Sequence, residues 1–189
     1  MRHVPVFYAT TEGHTRLIAE ALASTLRQEG MESEAIALPK TGRVDWIDWA
    51  DVGGVIVGAS VHAGKHQSSV GAFVAREADR LNRCPSVFFS VSMAAASKNA
   101  TEVDAARAIA TKFVGGTPWR PDRVVCFAGK LAYTKYGWLT RWIMRRIAAK
   151  EGGPTDTSRD HDFTDWQAVR ALAVSIAAEV RDRHHPRVA

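Results

Sequence analysis

The stretch His3-Val4-Pro5-Val6-Phe7-Tyr8-Ala9-Thr10-Thr11-Glu12-Gly13-His14-Thr15 decides the fold. Its first half is a short apolar, β-rich run. Its second half is polar and carries one glycine. Behind it, Leu17, Ile18, Ala21, Leu22, Thr25 and Leu26 recur with helical spacing, and Gly30 is placed to end that helix. A strand, a hydroxyl-rich turn and an amphipathic helix therefore follow one another within thirty residues.

The alternation repeats outward from this opening. Glu32–Leu38 reads as a second strand, and Pro39–Asp51 as a connection with room for one helical turn around Trp46 and Trp49. Val52–Gly58 is a continuous apolar run, as expected of a strand covered on both faces. Ser68–Asn82 reads as a helix with Val70, Phe73, Val74 and Leu81 inward, and Pro85–Val91 as a fourth strand. Thr101–Val114 reads as a helix with Thr101 as its N-cap and Asp104 in its first turn. Arg123–Gly129 is the fifth strand, and Thr164–Arg183 the last helix. Such alternation specifies an α/β fold with helices on both faces of an open parallel sheet, a three-layer sandwich. Five strands suggest the order 2-1-3-4-5, with ligands bound at the carboxyl ends of the strands beside the switch between the first and third. Residues 1–189 are read as a single domain, with 130–157 inserted before the last helix.

Composition narrows the class. At 46% hydrophobic and 24% charged residues, extended disorder and low-complexity architecture are excluded. The longest apolar runs fall far short of the roughly 20 residues that span a bilayer. The early Glu12, His14 and Arg16 interrupt any secretory signal core. Cys84 and Cys126 are too few for a disulfide framework and read as buried, reduced thiols. The net charge of +5 favours an anionic partner.

Three loops fall at the ligand-binding edge. Thr10–Thr15 offers hydroxyls and helix-start N–H groups to an anion, and on its own reads equally as a Thr-rich N-cap. The spaced glycines of a dinucleotide site and the Gly-Lys-Ser/Thr of a Walker loop are both missing. Ala59–Gln67 and Ser92–Ala100 are built of small residues that let a planar ring approach the backbone, Gly58 included. His62 and His66 have helical spacing but no acidic or thiol neighbour, so no metal site is expected.

The strand–Thr-Thr-Glu-Gly-His-Thr–helix opening resembles a flavodoxin phosphate loop. Further segments make the resemblance more specific: Trp119-Arg120-Pro121-Asp122-Arg123, Gly152-Gly153-Pro154-Thr155-Asp156-Thr157 and Phe163-Thr164-Asp165-Trp166. With Val57–Val61, Phe88–Ser92 and Ala128–Tyr133, they resemble the menaquinone-dependent protoporphyrinogen oxidase family of flavodoxin-like proteins, from about residue 3 to about residue 180. The resemblance implies one FMN. Its phosphate would rest on Thr10, Thr11, Glu12, Gly13, His14 and Thr15. Its ring would lie between Ala59, Ser60, Val61, His62 and Gly64 on one side and Ser90, Val91, Ser92, Met93, Ala94 and Lys98 on the other. It also implies oxidation of protoporphyrinogen IX to protoporphyrin IX, with electrons passed to menaquinone or ubiquinone, late in haem synthesis. Two departures stand out. Glu12 is a carboxylate where many flavodoxins have a hydroxyl or amide, and His62-Ala63 leaves the second loop without an aromatic to stack on the ring.

The insert concentrates the charge. Lys130, Lys135, Arg141, Arg145, Arg146 and Lys150 occur with no acid before Glu151, among Tyr133, Tyr136, Trp138, Leu139, Trp142 and Ile143. One reading is an interfacial helix on an anionic membrane, contacting it through Trp138, Arg141, Trp142, Arg145 and Arg146. A second is a lid over an anionic substrate, and a third a helix packed on the domain with its cations solvated. A quinone acceptor fits the first, with the protein peripheral on the cytoplasmic side of the inner membrane. Arg120, Arg123, Lys130 and Lys135 are the candidate partners of substrate carboxylates. No nucleic-acid partner is expected, because no recognition fold accompanies the basic residues. The catalytic acid and base are left unassigned, and a homodimer is left open. The rivals are a flavodoxin-like electron carrier and an NAD(P)H-dependent quinone reductase.

Overall fold

The computed structural model describes residues 2–131, 134 and 156–184. Five strands form one parallel sheet: β1 (Val6–Ala9), β2 (Ala35–Ala37), β3 (Val55–Ser60), β4 (Ser86–Ser92) and β5 (Arg123–Ala128). Their spatial order is β2-β1-β3-β4-β5. Register is set by pairs such as Val6 with Ala35 and Ile56, Val57 with Phe88, and Ser92 with Ala128. Among the described residues the α-helices are α1 (His14–Gln28), α2 (Ser68–Arg76), α3 (Ala78–Leu81), α4 (Ala100–Gly115) and α5 (Trp166–His184).

The period-2 alternation of the strands separates two cores. Val6, Tyr8, Ile56, Phe89 and Val91 face α1 and α5, meeting Ile18, Leu22, Leu26, Val169 and Ile176. Phe7, Val55, Val57 and Phe88 face the other way, against Val70, Phe73, Leu81, Ala110 and Trp119. With both faces covered, the central strands are buried at every residue but the last and are mostly apolar, as the continuous runs predict.

Several expectations are corrected. The expected helix 68–82 breaks at Glu77, whose φ of −97° and ψ of 10° leave the helical well. The N-cap of α4 is Asn99, not Thr101: its side chain accepts the Thr101 N–H at 3.0 Å, so the helix starts earlier and Glu102 occupies the first turn. Gly58 serves packing, because a Cβ there would lie 1.9 Å from the Phe89 ring on the neighbouring strand. Cys84 and Cys126 are free but only half-buried. Burial pushes the Cys84 thiol up to about 11.

A second, two-stranded sheet has no counterpart in the sequence reading. β6 (Lys130–Leu131) pairs antiparallel with β7 (His161–Asp162), joining the start of the inserted segment to the chain just beyond it. The Asp160 carboxylate accepts the Thr134 N–H at 2.9 Å and hydroxyl at 2.7 Å, and pairs with Lys130 Nζ at 2.9 Å. Burial alone would raise this carboxyl, but the Thr134 and Lys130 donors hold it down at about 2.

Candidate cofactor site

The carboxyl ends of β1, β3 and β4 present their loops at one sheet edge, as parallel pairing requires. The first loop turns on Gly13, held at φ 91° and ψ −8°, the left-handed region where a Cβ is penalised. The Thr10 hydroxyl accepts the Gly13 N–H at 2.9 Å and closes the turn. Helix α1 then begins at His14 without any side-chain cap, so its opening N–H groups keep the unsatisfied, electropositive character of a helix start.

A hollow of about 300 Å³ opens in front of that start. The first loop contributes Thr10, Thr11, Glu12, His14 and Thr15, the second Ser60, Val61 and His62, and the third Val91, Ser92 and Met93. Gly129 and Lys130 close it from the ribbon side. Thr15 is fully buried, yet its hydroxyl has no partner. A buried donor without an acceptor is costly in a folded chain, and an anion resting on the helix start would supply the acceptor. The residues therefore fit a phosphate monoester. A larger hollow of about 520 Å³ lies on the β2 side, where Tyr8, Arg16, Leu17 and Ala37 face the outer side of the same loop.

The second loop is built tightly. His62 and Lys65 exchange backbone bonds of 2.8 and 3.1 Å across Ala63 (φ 49°) and Gly64 (φ 73°), a hairpin turn of the kind that needs positive φ at both central residues. His66 donates from Nδ1 to the Ser60 carbonyl at 3.2 Å, and its ring meets Phe88 and Phe113 edge-on at centroid distances of 5.2 and 5.0 Å. Its Nε2 is buried without a partner, and burial pushes the imidazole below its ordinary value. His66 is thus a neutral anchor beneath the loop. No cluster of metal-ligating side chains occurs among the described residues.

His14 reaches sideways. Its Nε2 lies 2.6 Å from the Thr164 hydroxyl and 3.5 Å from Asp162. Thr164 donates its own proton to the Ala128 carbonyl at 3.0 Å, so the hydroxyl oxygen accepts from a protonated His14 Nε2. Burial pushes His14 below its ordinary value; Asp162 pulls the other way and Lys130 adds to the fall. Asp162 also accepts the Thr164 N–H and the Trp166 indole N–H, tying β7 and the start of α5 to the first loop.

Not every candidate reaches the hollow. Ala59 is sealed in the apolar core, and Ser90 is buried below the site with its hydroxyl unpartnered. Gly64 is at the tip of its hairpin, Ala94 opens a short 3-10 turn, and Lys98 is exposed beyond it. Arg120 and Arg123 lie at the opposite, amino-terminal edge of the sheet. Arg120 bonds the Thr117 and Trp119 carbonyls, and Arg123 pairs with Glu179 at 3.0 Å and Ser175 at 2.8 Å. A carboxylate held by them would be a full strand length from the loops. Lys130 does line the hollow, already paired with Asp160. Lys135, Trp138, Arg141, Trp142, Arg145 and Arg146 lie outside the described residues.

Sequence reasoning missed Thr164, Asp162 and Gln67. The Gln67 side-chain amide bonds Ser60 Oγ at 2.6 Å and Thr11 Oγ1 at 3.1 Å, bracing the first loop against the second. The signal for all three is tertiary: His14 and Thr164 are 150 residues apart.

Comparison with known proteins agrees with this geometry. A family model described as a flavodoxin domain matches residues 5–158. A protoporphyrinogen IX dehydrogenase [quinone] of Escherichia coli K12 is 35% identical over 172 residues, covering 91% of this chain and 93% of that protein. A protein of the same description from Leishmania major is 32% identical, covering 92% of this chain and 74% of that protein. Among solved structures, a flavodoxin of Streptococcus pneumoniae TIGR4 superposes with a TM-score of 0.53 at 14% identity, covering 96% of this chain and 99% of that one.

Proposed function

Since the chain belongs to the flavodoxin domain family, and to the protoporphyrinogen IX dehydrogenase [quinone] proteins within it, we propose that it is an FMN-dependent enzyme that oxidises protoporphyrinogen IX to protoporphyrin IX and passes the electrons to a quinone. The observation that carries the activity is identity of 35% across nearly the whole of both chains, which a shared fold alone does not require. The hollow supports the cofactor. Its first loop offers one phosphate site, the uncapped start of α1 with the orphan Thr15 hydroxyl, and no glycine-rich turn for a dinucleotide.

The bound flavin supplies the two-electron chemistry that no side chain of the twenty can supply. The chain's own residues bind and orient. Thr15 and the opening N–H groups of α1 hold the phosphate, with Thr10 holding the turn that aims them. Val61, Val91 and Met93 would offer the ring an apolar surface, and Ser92 and His62 add polar groups to the same lining. Among the described residues Glu12 and Lys130 are the charged groups at the hollow, and Lys130 would have to exchange Asp160 for a substrate carboxylate to meet one there. Oxidation of a porphyrinogen removes hydrogen from its bridging carbons and nitrogens, and the quinone takes up the electrons in turn. Among the described residues no helix is long and apolar enough to cross a membrane. Quinones reside in bilayers, so we place the protein peripherally on the cytoplasmic face of the inner membrane, through the basic, aromatic 130–157 segment.

The test is an assay of purified protein with two donors. Release of FMN rather than FAD on denaturation is expected, together with quinone reduction driven by protoporphyrinogen IX and not by NAD(P)H. Colourless protein that refuses added FMN overturns the cofactor. Quinone reduction supported by NAD(P)H alone overturns the substrate and favours a quinone reductase.

A further inference from the structure

Gln67 occupies the N-cap position of α2, with extended backbone at φ −61° and ψ 137°, yet its side chain caps nothing. Glutamine is a poor cap, and here the side chain crosses instead to the opposite loop. Its Nε2 donates to Ser60 Oγ at 2.6 Å and to Thr11 Oγ1 at 3.1 Å, a residue 56 positions away. Its carbonyl Oε1 is buried with no partner. The fold thus carries the cost of an orphan acceptor in order to aim the amino group at two hydroxyls.

That orientation has a chemical consequence. A hydroxyl has one proton and two lone pairs. When Gln67 fills a lone pair on each oxygen, the Thr11 and Ser60 protons are left to point elsewhere. Neither hydroxyl donates to another group among the described residues, and both line the hollow in front of α1. They belong to different loops, so one amide polarises donors on two sides of the same space. Were the amide an acceptor there, both protons would be consumed by it.

We propose that Gln67 is a positioning residue for the phosphate: it orients the Thr11 and Ser60 hydroxyl protons into the hollow, and so makes the site select a phosphorylated flavin over the unphosphorylated one. This rests on the flavin reading above and adds the determinant of phosphate selectivity. Gln67 itself does not touch the ligand.

The experiment titrates flavin-free protein with FMN and with riboflavin, following flavin fluorescence, in the parent, Gln67→Glu and Gln67→Met. Glutamate has the same shape but accepts both hydroxyl protons and adds a charge. Its FMN affinity is expected to fall about 10- to 100-fold, the range for hydrogen bonds to a charged group, with riboflavin affinity nearly unchanged. Methionine removes the donor but leaves both hydroxyls free to rotate, so its FMN preference falls by only a few-fold. Gln67→Glu with the parent's FMN-to-riboflavin preference overturns the proposal. So does weakening of both flavins by one factor, which marks a merely structural brace. A parent that binds neither flavin overturns the cofactor reading itself, a result distinct from either.

Discussion

Thr15 is the residue at which the proposed ligand site and a plain helix cap can be told apart. Both roles place a hydroxyl at a helix start, and the sequence left them balanced. In the structure the capping work is done by no side chain, and the Thr15 hydroxyl is sealed without a partner. Replacing it by the isosteric valine removes a buried, unsatisfied polar group, so the flavin-free protein should melt at the same temperature or slightly higher. FMN affinity should meanwhile fall about 10- to 100-fold, the loss of one charge-assisted bond of roughly 1.5–3 kcal/mol. Thermal melts of the flavin-free protein and a fluorescence titration measure the two effects; unchanged FMN affinity in Thr15→Val would remove Thr15 from the site. The other hydroxyls were legible as residues but not as roles. Thr10 is committed to the Gly13 N–H, and the neighbouring His14 is committed to Thr164. Such commitments depend on which oxygen comes within about 3 Å of which nitrogen after folding, and periodicity carries no record of that.

At the scale of elements, apolar runs identified the central strands of the sheet, because a strand covered on both faces is buried at nearly every position. What periodicity could not reveal is the β6–β7 ribbon. Two-residue strands have no measurable period, and His161-Asp162 has no apolar face. The loop after β3 was legible by its small residues, but its anchor was not: His66 looked like a loop histidine and is packed under the loop against Phe88 and Phe113. Burial lowers its folded-state value below the 6.5 of an unfolded chain. Between those two values the unfolded chain binds more protons, so stability falls as the pH drops below about 6.5 and goes on falling until the folded form also protonates. The slope approaches at most about 1.4 kcal/mol per pH unit for each such histidine, and His14, lowered likewise, contributes in the same window. His66→Phe keeps the aromatic packing and removes the titration. Urea midpoints from about pH 7 to about pH 5 should therefore fall less steeply in His66→Phe than in the parent. Equal slopes would mean that the imidazole is not held neutral beneath the loop.

For the whole molecule, the question is where the net charge of +5 acts. Many of the described cations are already matched: Arg123 with Glu179, Arg181 with Glu29, Arg183 with Asp122, and Lys130 with Asp160. The segment beyond Lys130 holds Lys135, Arg141, Arg145, Arg146 and Lys150 before its first acid, Glu151, with Trp138 and Trp142 among them. Cations near an anionic leaflet contribute about 1 kcal/mol each and tryptophans favour headgroup depth, so this composition suits a surface where quinone is dissolved. The proposed cofactor hollow draws its described lining from the first three loops, with Gly129 and Lys130 beside them. The two proposed roles should separate in one variant. Replacing Trp138, Trp142, Arg145 and Arg146 together by alanine should lower co-sedimentation with phosphatidylglycerol-containing vesicles while FMN content stays at the parent level. Raising salt should release the parent as well, since screening shortens the reach of surface charge to a few ångströms at about 1 M. Vesicle binding that survives both the substitutions and the salt would assign the segment's cations to solvent or to substrate, and would leave the encounter with quinone to another face of the protein.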